Sequence, residues 1–288
     1  MQSTTSSNIR QPDVGNLPQE TVLTPRRNAM VALGLVPAIL VAFLANQGIF
    51  YSAKAAKSEQ LYADVSPTSA FYAAAERLTL MGIVTGYPCG QLPHEPCDAS
   101  SRRYFRWGES VKRKDLARIL MMADEARNVE GEDGSVEIPP GTQTYADVPP
   151  GHPYYKWIEG TVSREFMRGY PCGRASEPCD DRKRLYFRPD AIVSRAELAF
   201  SIYQADPKIR SNRKVPRAVS FQDVPRSNQF WLYVERVAEQ GIMTGHPCNA
   251  CSASEPCVSP DNRAYFRPNA PATNGQVARA ITNSLLER

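Results

Sequence analysis

Histidine is scarce in this chain: His94, His152 and His246 are the only three among 288 residues. No nucleophile–base motif, no metal-binding helix and no appended catalytic domain accompany them, so the sequence is not that of an enzyme. It also asks for no cofactor and no metal. A strong charge bias is missing as well. Lys and Arg number 34 against 30 Asp and Glu, and the bases are scattered, so nucleic acid is not implied. Proline is not short at 24 residues, but it sits at recurring turn positions and reads as turn chemistry rather than disorder.

What the chain does have is a block written three times after residue 60. It opens at Tyr62-Ala63-Asp64-Val65, at Tyr145-Ala146-Asp147-Val148-Pro149 and at Phe221-Gln222-Asp223-Val224-Pro225. Gly-Tyr-Pro-Cys follows at 86–89 and 169–172, and Gly-His-Pro-Cys at 245–248. A Glu-Pro-Cys triplet then ends at Cys97, Cys179 and Cys257, and Tyr-Phe-Arg comes at 104–106, 186–188 and 265–267. So many landmarks in register make this a repeat array.

The first 60 residues differ. Residues 1–27 are Ser/Thr/Gln/Asn-rich and read as a disordered cytoplasmic tail. Pro25-Arg26-Arg27 precedes an uncharged run over 28–53, long enough for a transmembrane helix or signal anchor, with Pro37 tolerable inside it. The Arg pair holds the N-terminus in and the repeats outside: a single-pass protein of the cytoplasmic membrane. Ala53-Lys54-Ala55 could serve as a cleavage site, which would export the repeats as a soluble product; the long polar leader favours the uncleaved anchor. The residues around Arg26-Arg27 fit a twin-arginine signal poorly.

Six of the seven cysteines recur at equivalent positions, two per repeat. Pairing within each repeat, Cys89 with Cys97, Cys172 with Cys179 and Cys248 with Cys257, closes short loops worth roughly 2–3 kcal/mol each in the chain-entropy model. Such bridges belong to an oxidising compartment. Cys251 makes a CxxC with Cys248, with His246 and Cys257 near. Since the other repeats carry the cysteine pair without a third sulfur, the pair needs a structural explanation rather than zinc, and Cys251 is expected to be unpaired or an alternative partner to Cys257.

Within each repeat the segment after the opening aspartate has helical spacing, as in Phe230, Val234, Val237 and Ala238. Asp64, Asp147 and Asp223 are placed to cap these helices, and Trp157 and Trp231 lie on them as packing residues. Gly82 and Gly241 suit left-handed ends; Glu165 in the second copy suits one poorly. Gly86, Gly169 and Gly245 suggest positive φ or close backbone approach. A second helix starts near 111, 193 and 272, where Ser194 with Glu197 forms a capping box. This divides the chain into repeats at 60–123, 145–205 and 221–288. An acidic linker over 124–144 and a basic linker over 206–220 join them as solvated connectors.

The pattern Asp-Val-Pro, helix, Gly-Ile-x-x-Gly, Tyr-Phe-Arg-Pro-x-Ala and Ser-Arg-Ala-Glu-Leu, clearest over 186–199, resembles the S-layer homology repeat. The resemblance implies a mainly α fold: three helix–loop–helix repeats in a pseudo-threefold bundle, with the long first helices central and grooves between repeats. It implies non-catalytic binding of secondary cell-wall polysaccharide, acidic and often pyruvylated, or of surface-layer protein. The groove signature Thr-Arg-Ala-Glu maps onto Ser194, Arg195 and Glu197, and less fully onto Arg113 and Asp115; Thr273-Asn274-Gly275-Gln276 keeps neither charge. With Gly86 and Gly169 these form the expected anion or glycan site, built around Arg195, with Arg113 second and Asn274 least. The second reading is a structural accessory subunit capping the external face of a larger membrane complex.

Overall fold

The computed structural model describes residues 60–127, 138–139, 141–212, 214–249 and 254–286. They belong to the unit spanning 58–288. Among the described residues seven α-helices make it mainly helical: α1 (Tyr72–Leu80), α2 (Arg113–Arg127), α3 (Tyr155–Ser163), α4 (Arg195–Ala205), α5 (Pro207–Ser211), α6 (Trp231–Glu239) and α7 (Asn274–Ile281), which runs on into a π turn at Thr282–Leu286.

The transmembrane helix expected over 28–53, and the single-pass membrane placement built on it, must be corrected. Among the described residues no helix is long and apolar enough to cross a membrane. The longest, α2, has 15 residues. At about 1.5 Å per residue it falls short of a hydrocarbon core about 30 Å thick. Residues 28–53 themselves lie outside the described residues, as do Cys251 and most of the acidic linker.

The three copies of the block use their landmarks identically. Asp64 accepts from the backbone N–H groups of Phe105 and Arg106, both at 2.7 Å. Asp147 does so from Phe187 and Arg188 at 2.8 and 2.6 Å, and Asp223 from Phe266 and Arg267 at 2.8 and 2.7 Å. These aspartates therefore clamp the returning Tyr-Phe-Arg segment instead of capping the first helices. The N-caps are Phe71, Tyr154 and Phe230, none of which caps with its side chain; the turn before each helix is closed by Ser69, His152 and Asn228, whose side chains accept from the N–H of those same residues. His152 is thereby a turn residue. The helices then end in left-handed residues, Gly82 (φ 70°), Gly241 (φ 67°) and Glu165 (φ 59°), the last in a conformation that glycine adopts more cheaply.

The phenylalanine of Tyr-Phe-Arg is buried under the opening aromatic ring, 5.2 Å between centroids in every copy. The tyrosine makes an antiparallel bridge to the turn residue Tyr87, Tyr170 or His246. That crossing explains the turn glycine. A Cβ on Gly169 would lie 2.3 Å from Tyr145 Cε1 and 3.0 Å from the Tyr186 carbonyl. The arginine makes a two-toothed ion pair with the glutamate of Glu-Pro-Cys: Arg106–Glu95, Arg188–Glu177 and Arg267–Glu255, at 2.6–2.8 Å. The three intra-repeat cysteine pairs stand at disulfide distance, each with Cα atoms 4.9 Å apart.

The second helices, α2, α4 and α7, start around a closed cycle of backbone hydrogen bonds. Val111 donates to Ala272 (3.0 Å), Ala272 to Val193 (2.8 Å) and Val193 to Val111 (2.9 Å). Each second helix also packs against the first helix of the following repeat: α2 with α3, α4 with α6, α7 with α1. The first helices, nine residues each, are thus outer elements, and the inner positions expected of them belong to the second helices. On α4 eight of eleven residues are buried, as a helix covered on nearly every side requires. Residues 206–211 depart from a solvated connector as well. Asp206 caps α5 through the N–H groups of Lys208 and Ile209 and accepts from Ser284 Oγ at 2.9 Å, tying this segment to the C-terminal π turn.

Candidate functional site

The cyclic arrangement puts the start of each second helix against the next repeat. Three grooves result, each built from a turn, a second-helix start donated by the preceding repeat, and an aromatic residue of the following one. Groove 1, about 220 Å3, is lined by Gly86, Tyr87, Asp115, Arg118, Tyr154 and Asn274. Groove 2, about 320 Å3, has Gly169, Tyr170, Glu197, Phe200, Phe230 and Arg113. Groove 3, about 220 Å3, has Gly245, His246, Gln276, Arg279, Phe71 and Arg195.

Arginine and glutamate of one Ser-Arg-Ala-Glu motif consequently serve different grooves. Glu197 faces Arg113 of the preceding repeat in groove 2, while Arg195 reaches forward into groove 3. Ser194 lines neither; it caps α4 and, with Glu197, completes the capping box seen in the sequence. Of the residues expected to share a site, the structure unites Arg113, Glu197 and Gly169, and separately Asp115 and Gly86.

The two arginines differ in what remains available. Arg113 is 2% exposed. It donates to the Phe187 carbonyl (2.7 Å), the Arg168 carbonyl (2.5 Å) and Glu197 Oε1 (3.1 Å), stacked between Tyr170 and Phe187. Glu197 also takes the Tyr170 hydroxyl, so groove 2 satisfies its own charges. Arg195 is 5% exposed and donates to the Phe266 and Thr244 carbonyls, both at 2.8 Å, with its guanidinium over the Phe266 ring. Among the described residues it makes no ion pair, because the position of Glu197 is taken by Gln276. Burial, and then Arg267 nearby, hold its pKa below the ordinary arginine value. His246, which replaces the turn tyrosine, is likewise held below 6.5 by burial, Arg267 and Arg195. Groove 3 therefore carries Arg195 and Arg279 with no carboxylate of its own lining it.

Groove 1 inverts this. Asn274 stands where the arginine would be and donates to the Phe105 and Arg106 carbonyls at 3.4 and 3.0 Å. Asp115 meets no guanidinium at ion-pair distance among the described residues and accepts from the Tyr154 hydroxyl at 3.0 Å. Burial, then Asp115 and Glu109, push the Tyr87 hydroxyl above its ordinary pKa. Trp107, where the other copies have proline, is 46% exposed and stacks on Phe71 with centroids 5.7 Å apart. Sequence reasoning missed Trp107 as a surface aromatic; its departure from Pro189 and Pro268 was the available signal. Trp231 is buried and Trp157 half-buried against the core, both in packing roles.

No curated protein matches the sequence. The profile of the S-layer homology domain matches residues 144–199, the stretch from the opening of the second block through the first turn of α4. The chain thus carries one detected S-layer homology domain, a non-catalytic module that binds cell-wall polysaccharide or surface-layer components and points to the cell surface.

Proposed function

We propose that the stretches 60–123 and 221–288 are S-layer homology repeats as well, and that the three act together to hold an acidic cell-wall polysaccharide, docking the chain at the cell surface. The carrying observation is Arg195: a buried guanidinium, fixed by two carbonyls, that opens on groove 3 without a carboxylate to neutralise it. An acidic substituent of the polymer would take the place that Glu197 takes in groove 2. Arginine suits this because its planar fork meets both oxygens of a carboxylate. Arg113, with Glu197 already on it, is given to holding repeats together. The hydrogen bonds made by equivalent residues in all three copies support the threefold repeat assignment. Partners in a membrane complex have no support in the structure and are not proposed.

Retention on purified acidic wall polymer tests this reading. Gln276→Glu installs the missing carboxylate opposite Arg195 at little cost to the fold and should weaken retention by about ten-fold, as should Arg195→Ala. Asn274→Ala should change little. Undiminished retention by a folded Gln276→Glu protein would overturn the assignment.

A further inference from the structure

Each helix-start side chain is held by the repeat that follows it, through carbonyls that flank that repeat's cystine loop. Arg195 of the second repeat donates to Phe266 and Thr244 of the third, both at 2.8 Å. Thr244 lies four residues before Cys248, on the turn that enters the loop. Phe266 adjoins Arg267, whose guanidinium is gripped at 2.7 Å by Glu255, two residues before Cys257. Arg113 of the first repeat is seated alike in the second, on the Phe187 and Arg168 carbonyls. Arg168 lies four residues before Cys172, and Arg188 pairs with Glu177, two before Cys179. Asn274 of the third repeat uses the Phe105 and Arg106 carbonyls, beside the Arg106–Glu95 pair of the Cys89–Cys97 loop.

We propose that the three cystines are sites of thiol–disulfide exchange with an external dithiol, and that opening Cys248–Cys257 loosens the seat of Arg195 without unfolding the helical ring. The effect on polymer rests on the reading of groove 3 above; the exchange itself does not. The sulfurs are within reach of a reagent: Cys97, Cys179 and Cys257 are exposed, and Cys89, Cys172 and Cys248 half-buried. One thiolate of the dithiol attacks the Cys257 sulfur, forming a mixed disulfide and expelling Cys248 as a thiolate. The second thiol of the reagent then displaces Cys257 and closes the reagent's own disulfide. Two electrons pass to the protein, and the two protons shed by the reagent end on Cys248 and Cys257. Without the covalent link each loop keeps one backbone bond, from Gly90 to Glu95, Gly173 to Glu177 or Asn249 to Glu255, at 2.7–2.8 Å. It also keeps the bond from the Tyr104, Tyr186 or Tyr265 hydroxyl to a proline carbonyl at 2.9–3.0 Å. Water replaces such bonds at little cost, so they hold the loop loosely. The Asp223 clamp on Phe266 and the bridge between His246 and Tyr265 survive. What is lost is the fixed spacing between the Thr244–Cys248 turn and the Glu255 carboxylate. A group already fixed in its bound geometry gives up less freedom on binding, so a looser Arg195 binds an anion more weakly. The ring of bonds through Val111, Val193 and Ala272 shares no atom with the loops, which confines the change to the groove wall.

The test uses the full chain carrying Cys251→Ser, so that the seventh cysteine takes no part. Dithiothreitol is the dithiol, and hydrogen exchange is followed by NMR before and after reduction. Exchange at the His246 amide and the Arg195 guanidinium should accelerate by about ten-fold, while the amides of Val111, Val193 and Ala272 keep their protection. Retention on acidic polymer should fall by about ten-fold and return on reoxidation. Cys248→Ser with Cys257→Ser should reproduce both changes without reductant. Cys89→Ser with Cys97→Ser should leave Arg195 and His246 as they are. Cystines that resist dithiothreitol in the folded chain would overturn the proposal, as would unchanged hydrogen exchange at His246 and Arg195 once they are reduced. Loss of protection at Val111, Val193 and Ala272 would overturn it too, by making the cystines staples of the whole fold. Hydrogen exchange is read without polymer. If neither the oxidised nor the reduced chain is retained, the anion assignment of Arg195 falls while the exchange sites stand or fall on their own readout.

Discussion

At the scale of single residues, the most consequential difference between the copies is His246. Its backbone makes the same bridge as Tyr87 and Tyr170, so the turn is conserved while the side chain becomes titratable. The groups facing it are Arg267, Arg195, Glu255 and Asp223, with cations outweighing acids in effect, and its folded pKa lies below the ordinary 6.5. An anion entering groove 3 would favour the protonated imidazole and raise that pKa. Between the free and bound values the complex holds more protons than the free protein, so affinity for acidic polymer should rise as pH falls through this window. In the absence of ligand the sign reverses for folding: the unfolded chain takes the proton first, so the stability His246 contributes is present above 6.5 and is lost as pH falls toward its folded value. Retention measured across pH 5–8, the range in which histidine titrates, checks this. His246→Tyr should flatten the profile; an equally steep profile in that variant would sink the assignment.

At the scale of elements, each repeat is stapled by an aspartate reaching some forty residues along the chain. Asp147 holds two backbone donors at 2.8 and 2.6 Å, and the same Arg188 whose N–H it accepts makes the ion pair to Glu177 in the cystine loop. Clamp, loop and turn are therefore coupled. Asp147→Ala leaves two partly buried N–H groups without an acceptor and should cost about 2–4 kcal/mol in urea unfolding. A loss below about 0.5 kcal/mol, the usual size for a neutral surface change, would show that the clamp is incidental. The sequence displayed these aspartates clearly but not their use. Position before a helix suggests a cap; the true partner, at Phe187 and Arg188, becomes a neighbour only after the chain turns back at Gly169. Ser194 was different. Its partner Glu197 is three residues away on the same helix, so the capping box could be read locally and is present.

At the scale of the whole molecule, the unit closes on itself: α1 of the first repeat packs on α7 of the third, and Val111, Val193 and Ala272 complete one ring of hydrogen bonds. Linear repeat arrays lose stability gradually when an end repeat is removed. A closed ring should not. A chain ending at residue 220 uncovers one face of α4, where α6 packed, and leaves α1 without its partner, so it should lose its cooperative thermal transition altogether. A cooperative transition in that fragment, near the temperature of the intact chain, would contradict closure.

The sequence by itself determined what lies within reach of one repeat: the threefold block, the second-helix starts, the left-handed ends at Gly82 and Gly241, and the cysteine pairs, all set by spacing and local chemistry. It also drew attention to Arg195, Arg113 and Asn274 as unequal. Only the tertiary structure decided what each of them meets. Arginine and glutamate two positions apart on α4 point into different grooves because consecutive helical residues diverge around the axis, and the cyclic packing places a different repeat on each side. Among the described residues that geometry neutralises Arg113, leaves Arg195 without an ion-paired carboxylate and leaves Asp115 with no guanidinium at ion-pair distance. Charge in a groove is a sum over side chains from three repeats, and no single repeat contains it.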